Sequence, residues 1–122
     1  MNRLLLTGCG TALLTPFKNN EVDYQAFAAS VERQVESGIN FLVPLGSTAE
    51  TPCLDDEERI NLLECCREHA HGLPLVVGAG TNSFVHTVKN MKLLDSHGVD
   101  AFLIVVPYYN KPTQEGLYQY FK

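Results

Sequence analysis

The sequence lacks any run of about 20 apolar residues, which is the length that a membrane-spanning helix needs. It also lacks an excess of basic side chains, since nine Lys and Arg against fourteen Asp and Glu give a net charge of −5. A nucleic-acid-binding surface needs clustered Lys and Arg, so neither a nucleic acid nor a membrane is expected as a partner. The apolar opening, residues 1–6, is shorter than the core of about 7–15 residues of a secretory signal, and we expect a cytoplasmic protein.

Metal-ligand patterns are missing as well. The four cysteines form no C-x-x-C pair, and the four histidines form no pair spaced by four positions. No metal site is therefore expected, and the cysteines are expected to be free thiols in a reducing compartment. The positions concerned are Cys9, Cys53, Cys65 and Cys66, and His69, His71, His86 and His97.

Four short apolar segments are rich in Val, Ile, Leu and Phe and scarcely alternate with polar residues. This pattern is typical of strands that are buried on both faces of a parallel sheet. We expect a single globular domain over residues 1–122, because no linker or low-complexity stretch interrupts them. The predicted strands are Thr11–Leu14, Asn40–Leu45, Leu75–Ala79 and Ala101–Val106.

Segments with helical periodicity separate and follow these strands. The first three begin at residues that can cap a helix, namely Asp23, Asp55 with Glu58 as a capping box, and Ser83. A fourth helix is predicted to begin near Thr113. The predicted inner faces carry Phe27, Val31 and Val35 in the first helix, Ile60, Leu63 and Cys66 in the second, and Val85, Val88, Met91 and Leu94 in the third.

The resulting order, four strands each followed by a helix, implies parallel strands joined by right-handed crossovers. Two architectures share this order, a doubly wound sheet and a (β/α)₈ barrel, and periodicity alone does not choose between them. Both bind ligands at the carboxyl ends of their strands, so chemistry is expected in the loops that follow the strands.

The loops after the second and fourth strands carry the most informative side chains. Ser47 and Thr48 place two hydroxyls and several backbone N–H groups at a strand end, where they can hold a small carboxylate. Alternatively, the two side chains bond the local backbone of a polar turn. Tyr108 and Tyr109 can pass a proton when a phenol is hydrogen-bonded to another hydroxyl, or else they simply pack, for example at a subunit contact.

The loop after the third strand contains Gly78-Ala79-Gly80 between a strand and a helix. A dinucleotide-binding fingerprint needs a third glycine where this chain has Ser83. The sequence Gly-Lys-Ser/Thr of a phosphate-binding loop occurs nowhere. A nucleotide cofactor is therefore not expected, and the glycines are interpreted as tight-turn residues.

Four stretches resemble one known family in order and in spacing. They are Gly10-Thr11-Ala12-Leu13-Leu14-Thr15-Pro16-Phe17, Gly46-Ser47-Thr48-Ala49-Glu50, Gly78-Ala79-Gly80-Thr81-Asn82 and Val106-Pro107-Tyr108-Tyr109-Asn110-Lys111-Pro112-Thr113-Gln114-Glu115-Gly116-Leu117-Tyr118. Together they resemble the dihydrodipicolinate synthase / N-acetylneuraminate lyase family of class I aldolases, and the last stretch resembles its synthase branch. The resemblance implies an α/β fold, the N-terminal half of a (β/α)₈ TIM barrel with parallel strands and covering helices.

The resemblance also implies a lyase that condenses pyruvate with aspartate β-semialdehyde through a lysine Schiff base, on the route to diaminopimelate and lysine. No cofactor is expected, and the implied assembly is a homo-oligomer, a dimer of dimers. Ser47 stands where the family has a proton-relaying hydroxyl, and Thr48 where the pyruvate carboxylate is held. Tyr109 matches a tyrosine that reaches across a dimer interface into the neighbouring site, and Tyr108 a tyrosine at the same interface.

Some positions depart from the family pattern. Ala49 replaces the usual glycine, which would change the turn if a positive φ were needed there. Ser47 replaces the more common threonine but keeps the hydroxyl. Asp56 and His86 occupy positions where lysine-inhibited members carry His and Glu, which argues against inhibition by lysine.

The family's Schiff-base lysine and its third relay tyrosine have no counterpart among these residues. Such a lysine needs burial or a neighbouring cation to free its amine, whereas Lys18, Lys89, Lys92, Lys111 and Lys122 fall on predicted loops or helices. We therefore expect this chain alone to be inactive as an aldolase. Two alternatives remain open, a different pyruvate-dependent aldolase of the family and a non-catalytic half-barrel that acts as an oligomerisation or regulatory subunit.

Overall fold

The computed structural model describes residues 6–122, and it contains all four predicted strands and all four predicted helices. The strands of the main sheet are β1 (Gly10–Ala12), β4 (Phe41–Val43), β5 (Val76–Gly78) and β6 (Ala101–Leu103). A small antiparallel hairpin that was not predicted, β2 (Phe17–Lys18) and β3 (Glu21–Val22), follows β1. The helices are α1 (Tyr24–Glu36), α2 (Asp56–His69), α3 (Phe84–Leu94) and α4 (Gln114–Phe121).

The first three helices begin directly after their predicted capping residues, and α4 begins after Thr113, near the predicted start. The Asp23 carboxylate accepts a hydrogen bond from the Ala26 N–H at 2.9 Å. Asp55 and Glu58 form the full capping box, with N–H to carboxylate distances of 2.8 and 2.9 Å. Ser83 and Thr113 cap α3 and α4 through their hydroxyls. The helix starts were therefore predictable, because each cap satisfies an otherwise unpaired N–H within a single turn of chain.

The strand order distinguishes the two architectures that the sequence left open. β1 pairs in parallel with β4, a parallel bridge between Leu42 and Leu75 connects β4 to β5, and β5 pairs in parallel with β6. Each strand of the main sheet thus lies beside the main-sheet strand that follows it in the chain, whereas a doubly wound sheet reverses its order at a switch point. The buried core joins Leu42 and Leu75 to side chains of α1, α2 and α3, so these helices cover the same face of the sheet. This arrangement is half of a (β/α)₈ barrel.

The two faces of the sheet differ in burial, and the prediction that both are buried is correct for only one. Leu42, Leu75 and Val77 on the helix-covered face are each 0 % exposed. On the opposite face, which we call the interior face, Leu14 is 65 % exposed and Leu103 47 %. In a complete barrel, side chains from all eight strands fill the interior. This chain has only four strands in its main sheet, so the side chains of the interior face stay partly exposed to solvent.

The inner face predicted for α3 was correct at Leu94 but wrong at Val85. Val85 is 71 % exposed, while the buried residues of the helix are Thr87 and Leu94. Asn90 lies between these two on the same helical stripe, and its amide nitrogen donates to the Ala79 carbonyl at 3.1 Å. The apolar pattern was misleading because two polar side chains of the true inner face bond the preceding loop instead of packing in the core.

Candidate functional site

The carboxyl ends of β4, β5 and β6 surround an open cavity of about 380 Å³. Loops from three consecutive strands contribute to its wall, as expected where parallel strands end at one rim. The wall is mostly apolar, and three of its side chains carry hydroxyl groups, Ser47, Thr51 and Tyr108. Its lining includes Leu45, Gly46, Ser47, Thr51, Gly78 and Tyr108.

Ser47 and Thr48 lie in a short 3₁₀ turn, Ser47–Ala49, that directly follows the end of β4. Both side chains are exposed, and within residues 6–122 no protein group hydrogen-bonds either hydroxyl. The alternative in which these hydroxyls are bonded to local backbone therefore does not describe this turn. Ser47 lines the cavity, and Thr48 is its neighbour on the same turn. The roles of both residues remain predictions.

The turn is bracketed by two non-glycine residues in left-handed backbone conformations, Leu45 with φ 58° and Glu50 with φ 55°. Such a conformation costs an ordinary residue about 1–2 kcal/mol. Ala49 itself is not in this region, because the positive φ falls one residue later. Alanine in place of the family's usual glycine is therefore accommodated without strain at that position.

Two threonine hydroxyls hold this turn, and sequence reasoning missed both. The Thr15 Oγ1 atom donates to the Ala49 carbonyl at 2.8 Å, in a buried contact that spans 34 residues of chain. The Thr51 Oγ1 atom lies 2.8 Å from the Leu45 carbonyl oxygen and 2.9 Å from that of Gly46. The only signal in the sequence was that Thr15 directly follows the first predicted strand, and nothing identified its partner.

An arginine behind the turn connects two of the loops. Arg59 of α2 donates to the Thr51 carbonyl at 3.2 Å and to the Asn90 side-chain oxygen at 3.4 Å. Asn90 in turn donates to the Ala79 carbonyl, so this chain of contacts links the loop after β4 to the loop after β5. Arg59 also lines a smaller cavity of about 120 Å³ that lies beside the main one.

The two tyrosines of the fourth loop lie in different environments. Tyr108 lines the main cavity together with Ser47 and is half exposed. Tyr109 has a left-handed backbone with φ 69° and is 93 % exposed, and it does not line the cavity. The structure therefore brings Ser47 and Tyr108 to one cavity but leaves the Tyr109 phenol in solvent. The predicted role of Tyr109 in a neighbouring subunit stays a prediction.

All five lysines of the chain are exposed, and none lines either cavity. Lys89 forms a surface ion pair with Asp56 at 3.1 Å. A Schiff-base lysine needs burial or a neighbouring cation to free its amine, and these exposed side chains lack the burial. Within residues 6–122 the site has hydroxyls and N–H groups but no Schiff-base lysine.

The two cysteines of α2, Cys65 and Cys66, are partly and fully buried. Burial raises the pKa of the Cys66 thiol to about 12, so it stays protonated at neutral pH and behaves as a small apolar core residue. Burial likewise raises the pKa of Cys65. Across residues 6–122, no three His, Cys, Asp or Glu side chains are grouped so that they could hold a metal ion. In the same range no helix combines the length and the apolarity that crossing a membrane requires.

The chain is similar in sequence to known enzymes over nearly its whole length. The model of the dihydrodipicolinate synthetase family matches residues 5–122. The 4-hydroxy-tetrahydrodipicolinate synthase of Thermotoga neapolitana is 48 % identical over 119 residues, which cover 97 % of this chain and 40 % of the relative. The chain thus spans about two fifths of the length of the curated relatives that it matches.

Solved structures of such enzymes superpose closely on the chain. Dihydrodipicolinate synthase from Thermotoga maritima matches with a TM-score of 0.91 and 47 % identity, over 94 % of this chain and 39 % of the other. The chloride-inhibited dihydrodipicolinate synthase from Acinetobacter baumannii, solved in complex with pyruvate, matches with a TM-score of 0.89 and 38 % identity, over 93 % and 40 % of the two chains. These shares agree with the half-barrel that the strand order shows.

Proposed function

The chain belongs to the dihydrodipicolinate synthetase family, and we propose that it supplies the N-terminal half of the barrel of a 4-hydroxy-tetrahydrodipicolinate synthase. In this proposal the whole enzyme is a lyase that condenses pyruvate with aspartate β-semialdehyde. The supporting observation is the cavity of about 380 Å³ at the carboxyl ends of β4–β6, with the Ser47–Ala49 turn at its rim. A small 2-oxo acid fits such a site, because exposed hydroxyls and N–H groups favour a carboxylate.

The chemistry divides between this chain and a lysine supplied by another stretch of polypeptide. That amine attacks the ketone carbon of pyruvate, water leaves, and an imine forms. Thr48 and the backbone N–H groups at the start of the turn hold the pyruvate carboxylate. Ser47 and the Tyr109 phenol, the latter donated by a second copy of the chain in a homo-oligomer, pass protons to and from the reacting atoms.

The open parts of the sheet support a larger barrel. β1 and β6 each have one unpaired edge within residues 6–122, and the interior face exposes Leu14, Leu103 and Val105. Unpaired edges and exposed apolar side chains favour pairing with further strands. We propose that the remaining strands of the same enzyme close the barrel against this face.

Borohydride trapping tests the proposal on the full-length enzyme. Reduction in the presence of pyruvate should add the mass of one pyruvate less one oxygen atom to a single lysine, because the imine loses water and gains hydrogen. That lysine should lie outside residues 1–122. A full-length protein that is not trapped would contradict the proposal, and a trapped lysine within these residues would contradict the assignment of the nucleophile.

Two further measurements test the role of Tyr109 and the identity of the aldehyde substrate. The variant Tyr109→Phe should lower kcat by about 10²–10⁴-fold with little loss of fold, which is the usual contribution of a group that transfers protons. An unchanged kcat would reduce Tyr109 to a packing role. A trapped enzyme that turns over a different aldehyde, and not aspartate β-semialdehyde, would identify a sister aldolase.

A further inference from the structure

We propose that Thr15 and Thr51 are positioning residues that hold the Ser47–Ala49 turn in the conformation that binds pyruvate. This inference rests on the proposed function, because it gives the turn its ligand. Neither threonine needs to touch the reacting atoms. Thr15 in particular does not line the cavity, so any effect that it has on substrate must pass through the turn.

The turn needs external support because its backbone is strained at both ends. Leu45 precedes it with φ 58° and Glu50 follows it with φ 55°. Side chains other than glycine avoid this region, and it persists only where the surroundings enforce it. The turn's own hydrogen bonds, from Ala49 N–H to Gly46 and from Glu50 N–H to Ser47, close it internally but do not attach it to the sheet.

Thr15 supplies one attachment. Its side chain is buried at 5 % exposure, and its hydroxyl donates to the carbonyl of Ala49, which is 2 % exposed. The bond fixes the carbonyl that immediately precedes the strained Glu50. Since the two residues are 34 positions apart, it connects the loop after β1 to the loop after β4. A buried carbonyl that loses its donor is unfavourable, so the bond is enforced by burial.

Thr51 supplies the other attachment on the opposite side of the turn. Its hydroxyl lies within 2.9 Å of the carbonyls of both Leu45 and Gly46, the strained residue and its successor. The Arg59 guanidinium holds Thr51 in place by donating to its backbone carbonyl at 3.2 Å. The two threonines therefore hold the start and the end of the turn, and the hydroxyls of Ser47 and Thr48 remain free for a ligand.

The decisive comparison uses Thr15→Val and Thr15→Ser in the full-length enzyme. Valine keeps the size but removes the donor, and serine keeps the donor. We expect the KM for pyruvate to rise about tenfold in Thr15→Val, since loss of one buried hydrogen bond is of that order. Thr15→Ser should restore it to near the wild-type value. Active sites are counted by borohydride trapping, so that a smaller folded fraction is not mistaken for a lower kcat.

Thr87→Val is the matched control. Thr87 is a threonine of equal burial at 4 % exposure, and its hydroxyl bonds the Thr81 N–H and the Tyr120 phenol instead of the Ser47 turn. It should lose stability like Thr15→Val but keep the KM for pyruvate. Thr51→Val, which is less buried, repeats the test if Thr15→Val does not fold. Equal KM values in Thr15→Val, Thr51→Val and the control would overturn the inference.

Amide hydrogen exchange separates this inference from the proposed function. Exchange at the Ala49 and Glu50 amides should accelerate in Thr15→Val but not in Thr87→Val, whatever the substrate is. If wild-type enzyme is not trapped by pyruvate, the proposed function fails. In that case hydrogen exchange still tests whether Thr15 holds the turn, and unchanged exchange at the Ala49 and Glu50 amides would show that it does not. If wild-type enzyme is trapped but KM and exchange do not respond, only the positioning role fails.

Discussion

Replacing Gly78 with alanine should displace the strand end that carries the candidate site. A Cβ atom at Gly78 would lie 2.0 Å from the carbonyl oxygen of Leu45 and 2.7 Å from the backbone nitrogen of Gly46. Ordinary contact begins at 3.4 Å, so the two backbones must separate by about 1.4 Å, the difference between 3.4 and 2.0 Å. Because the atoms that clash with the Cβ belong to the backbone, no change of rotamer can relieve the contact.

The energetic cost follows from this geometry. Adding a methyl group to a tightly packed site costs about 1–3 kcal/mol. The Gly78 N–H also donates to the Pro44 carbonyl at 2.9 Å, beside the clash, and stretching that bond removes part of a contribution of about 1 kcal/mol. Alanine also restricts the unfolded chain more than glycine does, and this effect offsets less than about 1 kcal/mol of the loss in stability. We expect the free energy of unfolding to fall by about 2–3 kcal/mol.

Gly46→Ala is the control on the same cavity wall. Its backbone φ is −75°, and a Cβ there would meet only the Leu103 Cδ2 atom at 3.9 Å. This variant should stay within about 0.5 kcal/mol of the original protein. Urea unfolding followed by circular dichroism measures all three proteins under the same conditions. Equal stability of Gly78→Ala and the original protein, or an equal loss in both variants, would refute the steric argument.

Two further predictions concern the core. Cys66 should resist iodoacetamide at neutral pH while Cys53 reacts, because burial raises the pKa of Cys66 to about 12 and Cys53 is exposed; equal labelling of the two peptides in mass spectra of the folded protein would contradict this. Leu94→Ala should lower the free energy of unfolding by about 2–5 kcal/mol, since Leu94 is 1 % exposed, whereas Val85→Ser should change it by less than about 0.5 kcal/mol, since Val85 is 71 % exposed. Equal losses from these two substitutions in denaturant titrations would favour the inner face first predicted for α3.

Features that depend on neighbouring residues were predictable from the sequence. The cap of α2 joins Asp55 to Glu58, three positions away, and the apolar strands are recognisable from their own composition. The turn after β4 could also be predicted as a place for chemistry, because a strand end followed by Ser47 and Thr48 is a local pattern. The inner face predicted for α3 was correct at Leu94 but wrong at Val85, since Thr87 and Asn90 face inward, where the preceding loop offers them hydrogen-bond partners.

The sequence by itself determined the alternation of strands and helices, the helix starts and the family, because each depends on short stretches of chain whose order carries the information. Only the tertiary structure decided between a barrel and a doubly wound sheet, since that choice depends on which strands lie side by side, as Leu42 and Leu75 do. It alone also paired the Thr15 hydroxyl with Ala49, 34 residues away, and placed Tyr108 instead of Tyr109 in the cavity that Ser47 lines. Contacts between distant segments arise from packing, and no periodicity in the chain encodes them.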